Sequence, residues 1–206
     1  MSSNSSSTVY SRAAPGRFAL SIDWETTGSN FGGVSHIDYQ GIAFGAVIFN
    51  TETFEPVETL YRELHFDETR YKWTSGAEKI HGLSRAHLAA NGMSREEGLT
   101  DLLDLIMRYI GPKSKIFALG HNVGFDIDFT DQLANDFDIQ LEWHHVKLET
   151  SGAAFIAIGK YKSDDVFEFF TGKTREGAHN ALDDALMALE VVRNMRAIFT
   201  SALTTE

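Results

Sequence analysis

The sequence predicts an α/β fold, a mixed sheet flanked by helices, and three observations carry that prediction. Strand-like apolar runs come first and close together, at 18–23, 41–49 and 58–65, as an antiparallel meander would place them. From residue 84 onward, helical periodicity alternates with further strand-like runs. No internal repeat or linker breaks 18–199, so one core is expected to serve the whole stretch.

The elements follow in order. Phe18-Ala19-Leu20-Ser21-Ile22 reads as a buried strand, "GIAFGAVIF" (41–49) as a second and "ETLYRELH" (58–65) as a third. "SRAHLAANG" opens with Ser84 as a helix N-cap and closes at Gly92. In "EEGLTDLLDLIMRYIG", Leu99, Leu102, Leu103, Ile106 and Ile110 recur at helical spacing. "IFALG" (116–120) is a fourth strand, followed by a helix at 125–136 and a weaker strand around 141–148. Short helices are expected at 150–158 and 164–171 and a long one at 180–199.

Composition narrows the function classes. With 206 residues and 43% hydrophobic content the chain can build one sizeable core. No apolar run approaches the roughly 18–20 residues of a membrane span. The opening "MSSNSSSTVYSRAAPG" has no apolar secretory core and is Ser-rich, so 1–16 is expected to be a disordered lead-in, 17–200 the folded domain and 201–206 a short tail. There is no cysteine, which fits a cytoplasmic location and leaves any metal to carboxylates, His or backbone oxygens, donors that favour Mg²⁺ or Mn²⁺. A net charge of −11 argues against a protein that coats nucleic acid. It allows an enzyme that holds a few nucleotides with the help of bound cations.

Carboxylates then appear where apolar residues belong. In "SIDWETTG" (21–28), Asp23 and Glu25 point to one face of the first strand and Trp24 to the other. On the last helix, Asp183, Glu190 and Asn194 fall on one wet side at about 100° per residue, while Asp184 falls among Met187, Val191, Met195 and Ile198. On the helix starting near Phe125, Asp126 falls with Phe129, Leu133 and Phe137, opposite Asp128, Asp131 and Asn135. Inward carboxylates need partners. No Lys or Arg lies close in sequence to Asp23, Glu25, Asp126 or Asp184, and two divalent cations would satisfy all four.

"SIDWETTG", "GHNVGFDIDF" and "HNALDDA", in that order, resemble the three motifs of the histidine-type DEDD (DnaQ-like) 3′→5′ exonucleases, with His179 five residues before Asp184. "AEKIHGLS" (77–84) resembles a further shared element, and the resemblance covers about 18–199. It implies a ribonuclease H-like fold with a five-stranded mixed sheet, and two-metal hydrolysis releasing nucleoside monophosphates from a 3′ end. Residue by residue, it implies Asp23, Glu25, Asp126 and Asp184 as ligands of two Mg²⁺ or Mn²⁺ ions, with Asp23 bridging them, and His179 as general base. Thr26, Thr27, His81 and Asn122 become candidate substrate contacts, with a turn-anchoring part also open to Asn122.

The sequence departs from the family pattern at two places. Ser29 stands where a leucine usually wedges between terminal bases, so Phe31 is a candidate wedge. Glu149-Thr150 replaces a frequent Asp-Thr on the fifth strand. His144 and His145 are not expected to share an ion, because neighbours on a strand face opposite ways. Trp73, Phe155, Phe169 and Phe170 read as packing residues, and Lys72, Lys79, Arg85, Lys160, Lys162, Lys173 and Arg175 as a solvated basic rim. The leading expectation is an exonuclease acting on the 3′ end of single-stranded DNA. An RNA-trimming or oligoribonucleotide hydrolase is the alternative, and an inert module that binds a polymerase is a third reading, opposed by the intact set of five. A homodimer is compatible with the family.

Overall fold

The computed structural model describes residues 16–29, 38–175 and 179–203. Five strands, β1 (Phe18–Thr26), β2 (Gly41–Asn50), β3 (Pro56–Glu63), β4 (Ala118–Gly120) and β5 (Leu148–Glu149), form one sheet in the order β3-β2-β1-β4-β5. The β1–β2 and β2–β3 pairs are antiparallel, and the β1–β4 and β4–β5 pairs are parallel. The expected meander and mixed sheet are both present. Pro56 opens the edge strand β3, a position where a missing N–H costs nothing.

Seven helices accompany the sheet among the described residues: α1 (Ser75–His81), α2 (Arg85–Asn91), α3 (Arg95–Tyr109), α4 (Val123–Asn135), α5 (Thr150–Ile158), α6 (Ser163–Thr171) and α7 (Ala181–Leu203). Ser84 caps α2 through the His87 N–H, as expected, and a full capping box of Ser94 and Glu97 starts α3. The unforeseen α1 has too few residues to show an apolar repeat. Its ends are set by Thr74, which accepts from the Ala77 N–H, and by Gly82 in the left-handed region at φ 73°. The late strands are shorter than the apolar runs suggested: Ile116 makes only an isolated bridge to Trp143, and β5 is confined to two residues. β1, by contrast, continues to Thr26 and so carries both Asp23 and Glu25.

The alternation of β1 divides the core. Leu20, Ile22 and Trp24 pack with α3 and α4, whereas Ala19 packs with Ala185, Ala188 and Leu189 of α7. On the α7 face, the Ser21 hydroxyl donates to the Ala185 carbonyl at 2.8 Å. Gly45 stands opposite Asp23 in the β1–β2 register, and a Cβ there would lie 2.3 Å from the backbone of Ala181 and Leu182. The first turn of α7 therefore lies directly on the sheet beside Asp23. Gly45→Ala is expected to cost about 1–3 kcal/mol through overpacking and to lower turnover, because the displaced turn carries Asp184. Thermal unfolding and a rate assay check this, and an unchanged Tm would contradict the tight packing.

Candidate active site

The site lies where the C-terminal end of β1 meets the start of α4 and α7. Alternation on β1 turns Asp23 and Glu25 toward α7, with Glu25 only 6% exposed. α4 begins at Asn122, which adopts a left-handed conformation (φ 61°). The Glu149 carboxylate holds this turn, accepting the Asn122 N–H at 2.7 Å and the Val123 N–H at 2.9 Å, and it also accepts the Ser151 N–H at the start of α5. One side chain thus fixes the entry to two helices and sets the position of Asp126 one turn along. Asp126 is buried and accepts the backbone N–H of Trp24 at 3.0 Å, while the Trp24 indole donates to Thr130 on α4 at 2.8 Å. The second motif is therefore pinned to the backbone of the first.

The helical phase expected for α7 holds: Asp183 is exposed and Asp184 turns in. Asp184 Oδ2 meets His179 Nδ1 at 3.1 Å, and Oδ1 pairs with Arg175. His179 is itself anchored by its N–H to the Ile80 carbonyl of α1. Ligand atoms of Glu25, His179 and Asp184 lie within 4.8 Å of one another. Asp23 joins His179, Asp184 and His121 in lining a cavity of about 140 Å³. Asp126 stands outside the three-residue cluster, though its charge acts on Asp23.

The electrostatics are those of a cluster without enough positive charge. Burial, followed by repulsion from Asp126, Asp184 and Glu25, pushes the Asp23 carboxyl well above the usual carboxylate range. Burial likewise raises Asp126, against the opposing effect of its Trp24 hydrogen bond. Glu25 is pushed up to about 7, by burial and then by Asp184, and its Oε1 is buried without a hydrogen-bond partner. The hydrogen bond to Asp184 raises His179. Crowded carboxylates with an unpartnered inward oxygen suit a divalent cation, and their oxygen donors suit a hard metal.

These shifts have one sign. Each group has its folded pKa above its unfolded one, so its stabilising contribution is complete below the unfolded value and is lost as pH rises through the folded value. For Glu25 that window runs from 4.5 to about 7 and corresponds to about 3 kcal/mol. Without metal, stability is expected to fall between about pH 4.5 and pH 8, and a divalent ion should remove most of the slope by binding the ionised form. Thermal unfolding with and without EDTA across this range measures it. A Tm in EDTA that is flat or rising would contradict the cluster as described.

The remaining sequence candidates divide. Thr26 sits at the strand end and donates to the Gly28 carbonyl. Thr27 is fully buried; its hydroxyl accepts the Gln40 N–H, and its carbonyl takes both the N–H and the hydroxyl of Thr74, so it frames the loop. His81 is buried edge-on against Trp73, and its Nδ1 accepts the Leu83 N–H, which leaves the ring proton on Nε2. Asn122 is exposed and makes no side-chain cap bond; it is its backbone that ties down the turn. Phe31 lies outside the described residues.

Several expectations need correction. Arg175 is no solvated rim residue: its side chain is 10% exposed and bridges Asp164 and Asp184. Phe155 and Phe169 are exposed at 59% and 54%, because α5 and α6 bury their other faces against α7. His144 and His145 do not face opposite ways. Their ring centroids lie 4.4 Å apart with the planes tilted by 33°, since β5 starts only at Leu148 and the pair lies outside any strand. His121 was missed; its Nδ1 meets the Thr150 hydroxyl at 2.9 Å beside the cleft. Its place directly before Asn122 in the second motif was the one signal that could have found it.

An exonuclease family model of the RNase T type matches residues 20–192. Among curated proteins, none matches. The nuclease domain of 3′hExo, a DEDDh family member solved bound to rAMP, is 17% identical, with a TM-score of 0.65 over 90% of this chain and 95% of that one. E. coli exonuclease I in complex with a 5cy-dT13 oligonucleotide is 16% identical, with a TM-score of 0.67 over 87% of this chain and 40% of that one. A zinc-bound form of the exonuclease I–single-stranded DNA complex gives 18% and 0.68, over 89% and 43%. At these identities the likeness shows a shared ribonuclease H-like fold. The family match spans both ends of the site, from the strand carrying Asp23 to the helix carrying Asp184, and the chain belongs to this family of DEDDh 3′→5′ exonucleases.

Proposed function

We propose that this protein is a divalent-metal-dependent exonuclease that shortens single-stranded DNA from its 3′ end, releasing nucleoside monophosphates. The observation that carries the reading is the carboxylate-rich cleft, in which Glu25 Oε1 is buried with no hydrogen-bond partner and ligand atoms of Glu25, His179 and Asp184 lie within 4.8 Å of one another. Asp23, Glu25, Asp126 and Asp184 would hold the metal, Mg²⁺ or Mn²⁺ by donor chemistry, and two ions by the number of carboxylates. Bound ions would acidify a water and neutralise charge developing on the phosphate.

The chain's own residues do the rest. A carboxylate can only accept, so the contact with Asp184 places the His179 proton on Nδ1 and leaves Nε2 to take a proton from the attacking water. Trp24 and Glu149 keep Asp126 at a fixed depth, and Gly45 lets α7 bring Asp184 to β1. We place the terminal nucleotide on the β1 and α1 side of the cleft, beside Thr26 and the buried His81. DNA stands first, as in the exonuclease I complexes, and the rAMP-bound 3′hExo domain makes RNA the second reading.

Matched 5′-labelled DNA and RNA single strands, digested with Mg²⁺ or with EDTA, test the proposal. Activity is expected with Mg²⁺ or Mn²⁺, faster on DNA, and none in EDTA. Full activity after metal removal would overturn the metal reading, and a preference for RNA would select the second substrate.

A further inference from the structure

We propose that Arg175 is an internal counter-cation that competes with divalent metal for Asp184, holding the acidic centre together when metal is absent and setting how tightly metal binds. The inference rests on the metal-dependent reading above.

Both Asp184 oxygens are engaged by the protein itself. Oδ2 meets His179 Nδ1, and Oδ1 pairs with Arg175 Nη1. Arg175 Nε is held at 2.8 Å by Asp164 Oδ1 near the start of α6, which tethers the guanidinium beside the cluster. The side chain is 10% exposed, and its Nη2 is buried with no hydrogen-bond partner. A guanidinium with two anchored nitrogens and one buried orphan has spare donor capacity aimed away from water. Its charge acts on Asp23 and Glu25 as well as on Asp184. Arg stays charged at all relevant pH, so this offset is permanent.

The guanidinium and a divalent ion need the same oxygen and repel one another. Metal entry at Asp184 therefore requires Nη1 to give up Oδ1, while the Asp164 tether keeps the side chain close enough to return. Arg175 lies four residues before His179, so the segment that bears the proposed base also bears the competing cation.

The test is Mn²⁺ titration by calorimetry on the full chain without nucleic acid, for wild type, Arg175→Gln and Arg175→Lys, with thermal unfolding in EDTA and in saturating Mn²⁺. Arg175→Gln is expected to bind Mn²⁺ about tenfold tighter. Its Tm should be lower in EDTA, and the deficit should vanish when Mn²⁺ is saturating. Arg175→Lys keeps the charge but not the fork, so its affinity should fall between the two. It serves as the comparison if Arg175→Gln does not fold without metal. In an Asp184→Asn background the gain should disappear. Variants that bind Mn²⁺ no tighter than wild type would overturn the inference, as would a gain that persists without Asp184. Mn²⁺ binding to wild type with no gain in either variant would leave the metal reading standing and remove only the role of Arg175. No Mn²⁺ binding by any of these proteins would remove both.

Discussion

Asp184→Asn is expected to lower turnover by roughly 10³-fold or more, beyond the loss of a single oxyanion-stabilising donor, while Asp183→Asn keeps most of the activity. The two residues are adjacent, equal in charge and alike in helix position. They differ in direction. Asp184 faces His179, Arg175 and the cleft, and Asp183 faces water. The amide keeps the shape of Asp184 but removes a charge from the cluster, weakening any metal held there and freeing His179 from its orienting partner. Single-turnover cleavage of a short oligomer reads the difference. Equal losses in the two variants would mean that α7 does not present Asp184 to the site.

His179→Ala is expected to slow hydrolysis by about 10²- to 10⁴-fold, the usual contribution of a positioned general base, with metal and single-strand binding retained. In the unsubstituted enzyme the rate should climb with pH as His179 becomes neutral. In the metal-free protein the Asp184 hydrogen bond holds its pKa above the ordinary value. In the variant, hydroxide partly replaces the base, so raising the pH should recover some activity. Single-turnover rates from about pH 6 to pH 9.5 bracket an unperturbed histidine near 6.5. A variant as fast as wild type near neutrality would show that His179 is not the base.

Much of this site was legible because its signals are local. Two carboxylates on one strand face and one inward aspartate on each of two helices are statements about period, and period is written in consecutive residues. The first-motif strand, the register of α7 and the inward turn of Asp126 follow from that alone. What escaped was set by distant partners. Arg175 looked like a surface cation because nothing near it in sequence shows that α6 and α7 close over it. In the sequence Glu149 is only a departure from a frequent Asp on the fifth strand, yet it holds the first turns of α4 and α5 from the sheet edge. β5 shrank to two residues because it pairs only with the short β4, a fact of pairing and not of its own apolar content. α1 was invisible to periodicity and depends on Thr74 and Gly82.

The most direct test of the central claim, that the carboxylate cluster and His179 remove single nucleotides from a 3′ end with metal, is the identity of the first product. A single strand labelled at its 3′-terminal nucleotide is incubated with the enzyme in Mg²⁺, and the label is followed through the first turnover. The proposal predicts that the label leaves first, as a nucleoside monophosphate, and that it does not leave in EDTA or with Asp184→Asn. Label released last, released in longer fragments, or released equally well without metal would contradict it.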